Sequence, residues 1–370
     1  MSRNRIFEED MEYIFTNLSE RDKLSGSRIL ITGCAGFLGY YFMNFFTRYS
    51  DKLGIKEVIG LDNFILKKPK WVDQLVKDND RVKIHHFDII RDDLSEIKGD
   101  ADYVIHMASI ASPHFYRKYP IETLDANVFG LKRLLERYKD SGIKGFLFFS
   151  SSEVYGDPYP EFIPTDEEYR GNVATIGPRA CYDEGKRVCE TMCYLYAKKH
   201  DMPVVFVRPF NNYGPGMSPS DRRVPADFAK AILDNRDIEI YSDGRPTRTF
   251  CYVSDAVLGY LKALLYGKFG YFNIGIDGPE ISVGELAETY KKCGKLVFGY
   301  SGEISYKSSQ EKEYLTDNPN RRCPKIEKAK RMLGYDPRIK VEEGVRRFLE
   351  YLKGERALSS HVNNHGGKER

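Results

Sequence analysis

Arg28-Ile29-Leu30-Ile31-Thr32-Gly33-Cys34-Ala35-Gly36-Phe37-Leu38-Gly39 is a short apolar run closed by three glycines at a spacing of three. Such a run reads as a buried strand that turns straight into a helix. Gly33 permits the tight turn, Gly36 lets a pyrophosphate approach the backbone, and Gly39 lets helix and strand pack closely. The helix dipole at this turn favours phosphate, so the loop, with Phe37 and Leu38, is a candidate dinucleotide seat.

Working outward, the next strand ends in Leu61-Asp62-Asn63, at the ~20-residue distance where an acid reaches the adenosine ribose hydroxyls. Asp62 repels a 2′-phosphate, which favours NAD over NADP. A third strand ends in Phe87-Asp88-Ile89, where Asp88 can reach the adenine. A fourth runs into His106-Met107-Ala108-Ser109, small enough to let the cofactor pass. Asn63, Ile89, Met107, Ala108, Ser109 and Asn127 complete the expected cofactor set.

The apolar runs Arg28–Thr32, Glu57–Leu61, Val82–Phe87, Tyr103–His106, Gly145–Ser150 and Val204–Arg208 alternate with helical stretches. That rhythm predicts an α/β fold, a Rossmann-type doubly wound parallel sheet. Residues 26–210 are expected to form this NAD-binding domain. After Asn211 the breaks Gly214-Pro215-Gly216, Asp243-Gly244 and Gly278-Pro279 suggest a smaller C-terminal α/β substrate domain over 211–355, with some segments returning to the first. Residues 1–25 carry Ile6, Met11, Ile14, Phe15 and Leu18 at helical spacing, an N-terminal helical extension. The polar stretch 356–370 is expected to be disordered.

Bulk properties narrow the function classes. Lys and Arg total 57 against 54 Asp and Glu, a +3 balance too small to point to nucleic acid or to a membrane surface. Seven cysteines without a CxxC pair read as reduced thiols in a cytoplasmic setting, with no metal site. No apolar segment near the start has the length of a membrane helix.

Tyr182 and Lys186 stand four residues apart, hence on one helical face. Ser150-Ser151-Ser152-Glu153 ends a strand, where hydroxyls and a carboxylate converge on the nicotinamide end of a cofactor. Removing hydride from an alcohol carbon requires loss of the hydroxyl proton. Tyr182 is then the base, Lys186 the ammonium that stabilises its phenolate, and Ser151 the anchor of the reacting oxygen.

Gly33/Gly36/Gly39, Tyr182/Lys186 and Ser151 resemble the GxxGxxG, YxxxK and upstream hydroxyl of the extended short-chain dehydrogenase/reductase (NAD-dependent epimerase/dehydratase) family. The resemblance covers most of residues 28–350. Within it the likeness is closest to the UDP-glucuronate decarboxylase (UDP-xylose synthase) subfamily, through Ala111-Ser112-Pro113, Ser152-Glu153-Val154-Tyr155-Gly156-Asp157-Pro158, Gly177-Pro178-Arg179-Ala180-Cys181-Tyr182-Asp183-Glu184-Gly185-Lys186-Arg187, Thr247-Arg248-Thr249-Phe250, Tyr252-Val253-Ser254-Asp255 and Asp317-Asn318-Pro319. The resemblance implies that Glu153 and Arg248 handle the substrate carboxylate and the decarboxylation step, with Ser152 beside them. Arg248 is expected to be too basic for easy proton donation.

Ser112, Asn211, Arg223, Tyr241, Arg248 and Arg322 are the expected substrate contacts: guanidiniums for diphosphate, and Tyr241 to stack on a base. The partner implied is a nucleotide sugar, a UDP-sugar foremost, and the chain is expected to form a homodimer. Oxidation at sugar carbon 4, loss of carbon dioxide from the β-keto acid and re-reduction would recycle NAD. A 4-epimerase shares the 4-keto intermediate. A 4,6-dehydratase usually wants an Asp where Ser152 stands, and a non-catalytic dinucleotide-binding module is the remaining alternative. Glu122 replaces the Lys of the family's Pro-x-Lys-Thr, Gly216 replaces the Arg of its Gly-Pro-Arg-Met, and Ser151 replaces its usual Thr. If Glu122 faced the site it would disfavour an anionic substrate.

Overall fold

Ile29 to Thr32 are buried along the whole of strand β1 (Arg28–Thr32), as a strand covered on both faces must be. The computed structural model describes residues 4–309, 313 and 315–365. β1 lies between β2 (Glu57–Asp62) and β4 (Tyr103–His106) in a seven-stranded sheet that also contains β3 (Val82–His86), β5 (Gly145–Phe149), β6 (Val204–Pro209) and β7 (Gly270–Ile274). The order is β7-β6-β5-β4-β1-β2-β3 and every pairing is parallel.

Side chains alternate between two cores, as the period of two in a strand requires. Ile29 and Ile31 of β1, Ile105 of β4 and Leu147 of β5 join one core with Phe42, Phe45 and Tyr260. Leu30, Val104, Phe146 and Phe206 join the other with Leu131, Leu134, Cys189 and Cys193. Helices α2 (Phe37–Arg48) and α8 (Val253–Leu264) cover the first face, and α5 (Pro120–Tyr138) and α6 (Ala180–His200) the second. The chain order reverses between β1 and β4, the switch point at whose carboxyl edge open α/β sheets bind ligands.

Helix α1 (Arg5–Asn17) buries Ile6, Phe7, Met11 and Ile14, and is tied down by Asp10. That fully buried carboxylate accepts from Tyr41 (2.7 Å), Tyr252 (2.8 Å) and Arg347 (2.7 Å). Arg347 belongs to the last helix, Val341–His365. The backbone of this helix runs through His365, into the stretch 356–370, of which 366–370 lie outside the described residues. The strand Gly270–Ile274 was not among the expected runs. It returns from the second half of the chain to pair with β6.

No helix among the described residues is long and apolar enough to cross a membrane, and no His/Cys/Asp/Glu group among them has a metal-binding arrangement. All seven cysteines are unpaired.

Candidate active site

One cleft of about 1360 Å³ runs along the carboxyl edge of the sheet and reaches Gly33, Asp62, Ser151, Tyr182, Arg248 and Arg322 alike. Its two ends follow from separate local causes.

At the dinucleotide end, Gly33 sits at φ +70°, and a Cβ there would lie 2.8 Å from the Ala108 nitrogen. At Gly39 a Cβ would meet the Cys34 carbonyl oxygen at 2.2 Å, so any side chain would push the helix off the strand. Gly36 caps α2 without a side-chain hydrogen bond, and a Cβ on it would meet only the Gly33 carbonyl. The first N–H groups of α2 are therefore open to a phosphate. Asp62 closes the loop, its carboxylate accepting from the Ala35 N–H (2.9 Å) and the Phe64 N–H (2.8 Å). Burial raises the Asp62 pKa, and these amides oppose the rise. Phe37, Leu38, Asn63, Asp88, Ile89, Met107, Ala108 and Ser109 line the same wall. These groups fit an adenine dinucleotide: open amides for the pyrophosphate, an acid at the end of the second strand, and glycines where backbone must come close. Asn127 does not line the cleft. It is fully buried and neither side-chain amide atom has a partner.

At the catalytic end, Tyr182 stacks on Tyr116 with ring centroids 5.2 Å apart. Burial pushes its hydroxyl up to about 12, while the Ser151 hydroxyl and the Arg223 guanidinium pull the other way. Lys186 is the residue expected to stabilise the Tyr182 phenolate. Its ammonium donates to the Phe149 carbonyl at 2.8 Å and lies 5.6 Å from the Tyr182 ring centre. Burial lowers the Lys186 pKa to about 8. Ser151 caps the short turn Ser152–Tyr155, its Oγ accepting from the Glu153 N–H at 3.2 Å.

Beyond this turn lies a knot of buried charge. Arg322 donates to both oxygens of Glu153 at 2.6 Å, and Arg179 donates to one of them. Burial opposes ionisation of Glu153, but the two guanidiniums outweigh it and hold the carboxyl well below its usual range. Arg179 also lies 3.6 Å from Asp183, whose pKa is raised by burial and by the charge on Glu153. Arg248 spends its donors on backbone carbonyls: Thr247 (2.7 Å), Asn320 (3.1 Å) and Pro319 (2.5 Å). Burial, then repulsion from Arg322, lowers its pKa to about 9.

The remaining expected substrate contacts all line the cleft, already engaged. Ser112 donates to the Asp221 carbonyl (2.8 Å), Arg223 forks onto the Asp221 carboxylate, Asn211 donates to the Thr249 carbonyl (2.9 Å) and Tyr241 donates to Glu239. Glu122 also lines the cleft, but it is exposed. Arg179 was not singled out from sequence, although its place three residues before Tyr182 puts both on adjoining positions of one helical surface. Glu190 and Arg208, behind the turn, were missed as well.

A family model described as the NAD dependent epimerase/dehydratase family matches residues 29–275. The chain is 39% identical over 350 residues to UDP-glucuronic acid decarboxylase 1 of Xenopus tropicalis, spanning 94% of this chain and 76% of that protein. It is 38% identical over 324 residues to UDP-glucuronic acid decarboxylase 6 of Arabidopsis thaliana, 87% of each. Among solved structures, UDP-glucuronic acid 4-epimerase from Bacillus cereus, in complex with UDP-glucuronic acid and NAD, superposes with a TM-score of 0.72. Its identity is 26%, over 88% of this chain and 99% of that one. UDP-glucose 4-epimerase from Thermotoga maritima gives a TM-score of 0.74 at 27% identity, over 89% and 99%. With the family model matching residues 29–275 and relatives at 38–39% identity over most of its length, the chain belongs to the NAD-dependent epimerase/dehydratase family.

Proposed function

We propose that the chain decarboxylates UDP-glucuronate to UDP-xylose through a 4-keto intermediate, with residues 26–210 mainly holding NAD and 211–355 mainly holding the nucleotide sugar. The observation that carries this reading is the charge at the sugar end of the cleft. Arg179, Arg248 and Arg322 are all buried there, with Glu153 the only carboxylate among the described cleft-lining residues that pairs with any of them. Buried cations act in a low effective dielectric, so this end favours an anionic sugar substituent. Glu122 sits at an exposed position where solvent screens it, and its opposing effect is the smaller one.

Tyr182 takes the proton of the 4-hydroxyl while Ser151 holds the reacting oxygen. Bound NAD supplies the hydride acceptor and later the donor. Once carbon 4 is a ketone, the C5–C6 bond breaks and its electron pair passes into the enolate, releasing carbon dioxide. A proton must then return to carbon 5 from a nearby water, and Arg248 is assigned to hold the sugar beside it. Glu153, with Ser152, orients the groups around that carbon. Arg223 and Asn211 are assigned to the diphosphate and Tyr241 to the base.

The test is UDP-glucuronate labelled at carbon 6. Release of labelled carbon dioxide with a pentose nucleotide is the expected outcome, whereas turnover of a neutral sugar nucleotide with no labelled carbon dioxide would overturn the decarboxylase reading and leave the epimerase one.

The assembly proposed is a homodimer across α5 and α6. Ile121, Leu124 and Phe129 on one face of α5, with Val188 and Leu195 seven residues apart on α6, are exposed apolar side chains. A self-complementary patch of this kind suits an isologous pair. Leu195→Glu should convert dimer to monomer in light scattering. The unpaired cysteines fit a reducing compartment such as the cytoplasm.

A further inference from the structure

The turn carrying Ser151, Ser152 and Glu153 is gripped at both flanks by one guanidinium. On one side the Ser150 hydroxyl donates to Glu190 Oε1 at 2.5 Å, and Glu190 accepts twice from Arg208, from Nε at 2.8 Å and from Nη2 at 2.6 Å. On the other side Arg208 Nη1 donates to the Tyr155 hydroxyl oxygen at 2.7 Å, and that hydroxyl donates to Asn273 Oδ1 at 2.8 Å. Arg208 thus reaches residues 150 and 155 at once, with the reactive residues strung between them.

The same contacts fasten the turn to the helix that bears the base. Tyr182, Lys186 and Glu190 follow one another at four-residue intervals on α6, so they share a face. Lys186 holds the Phe149 carbonyl (2.8 Å), Glu190 holds Ser150, and Arg187 holds the Val154 carbonyl (2.9 Å). Arg208, Glu190 and Tyr155 are not among the cleft-lining residues. Whatever they contribute reaches the substrate through the groups they hold.

We propose that Arg208, together with Glu190 and Tyr155, is a positioning clamp that sets the alignment of Ser151 against Tyr182. The inference rests on Tyr182 as the proton acceptor. A bidentate Arg–carboxylate pair fixes geometry more stringently than a point charge, and a misplacement of ~1 Å in a catalytic group can slow a reaction ~10²-fold. Buried ion pairs of this sort contribute little net stability compared with apolar packing, so geometric specificity is the physical gain from retaining one.

The test follows the first half-reaction of the NAD-loaded enzyme with UDP-glucuronate, read as reduced-nicotinamide absorbance in a single turnover. Because it stops at oxidation, it does not depend on what happens to the 4-keto sugar. Tyr155→Phe, which removes one oxygen and keeps the ring volume, and Glu190→Gln should each slow this step on the order of ten- to a hundredfold. Calorimetric affinity for NAD and for UDP should stay within about twofold, since neither residue lines the cleft. The pH limb reporting Tyr182 should move upward as Ser151, whose hydroxyl lowers the Tyr182 pKa, shifts out of place. Tyr41→Phe, a comparable loss of a buried hydroxyl far from the turn, should lower the melting temperature and leave rate and pH limb alone. If Tyr155→Phe behaves like Tyr41→Phe, the clamp is overturned, even should Glu190→Gln fail to fold. Full hydride transfer in Tyr182→Phe would overturn the base assignment instead, and the two failures are told apart by which variant keeps its rate.

Discussion

Arg322 meets Glu153 through a two-point fork, both nitrogen–oxygen distances being 2.6 Å. The fork engages the Glu153 carboxylate, and Arg248 is left holding backbone carbonyls only among the described residues. Two consequences can be measured.

Glu153→Gln removes the shared counter-ion of Arg179 and Arg322 while preserving shape. Breaking a buried pair on one side typically costs about 3 kcal/mol, so the melting temperature should fall. The extra positive charge should keep or tighten uronate binding while kcat drops. A raised KM with kcat unchanged would show that Glu153 only helps to bind the sugar.

Tyr182→Phe should abolish turnover and leave NAD affinity and melting temperature nearly intact, because the ring stacked on Tyr116 keeps its volume. Lys186→Met should have nearly the same effect on turnover, here through loss of its hold on the Phe149 carbonyl. Steady-state rates beside calorimetry check both; near-full activity in either would remove that residue from the mechanism.

Asp62→Ala should weaken NAD binding about tenfold or more, the scale of a lost charge-assisted bond. Since Asp62 also receives the Ala35 and Phe64 amides, the unliganded protein should lose stability too. Titration calorimetry and thermal melts separate the two effects, and unchanged NAD affinity would show that the acid serves the loop alone.

His106 should stay neutral throughout the working pH range. Burial, then the charge of Lys186, lowers its pKa from the ordinary 6.5 to about 3. Between those values the unfolded chain binds a proton that the folded one does not, so stability falls as pH drops from about 6.5 toward about 3 and this contribution is complete above 6.5. Comparing urea melts of the wild type and His106→Gln across that window should show a shallower slope in the variant, by up to ~1.4 kcal/mol per pH unit. Identical slopes would mean that His106 titrates normally in the native state.

The sheet was legible because its strands are continuous apolar runs, a pattern with few alternatives once the Gly33-Cys34-Ala35-Gly36 turn is recognised. Arg28–Thr32 and Tyr103–His106 appear with the expected bounds, and the other expected runs differ from the observed strands by one residue at their ends. Gly270–Ile274 escaped because Gly270, Tyr271 and Asn273 interrupt the apolar run; tertiary pairing with β6 decides it. The candidate pair Tyr182 and Lys186 was readable because a helix translates a spacing of four into proximity. No such local rule joins Glu153 to Arg322, or Arg208 to Tyr155. These partners are 169 and 53 residues apart, and only the folded chain brings them together.

The buried carboxylate of residue 10 and the guanidinium of residue 347 are 337 positions apart along the chain. During synthesis from the N-terminal side, Asp10 must therefore wait until nearly all the described residues have been made before its strongest partner exists. An acid with two phenols and no cation is a poor occupant of a hydrophobic interior, so the first helix has reason to stay loosely docked through that interval. The seat of the first helix then closes late, when the final helix arrives, and a nascent chain halted before Val341 should be captured by chaperones or cut by proteases near its beginning rather than near the halt.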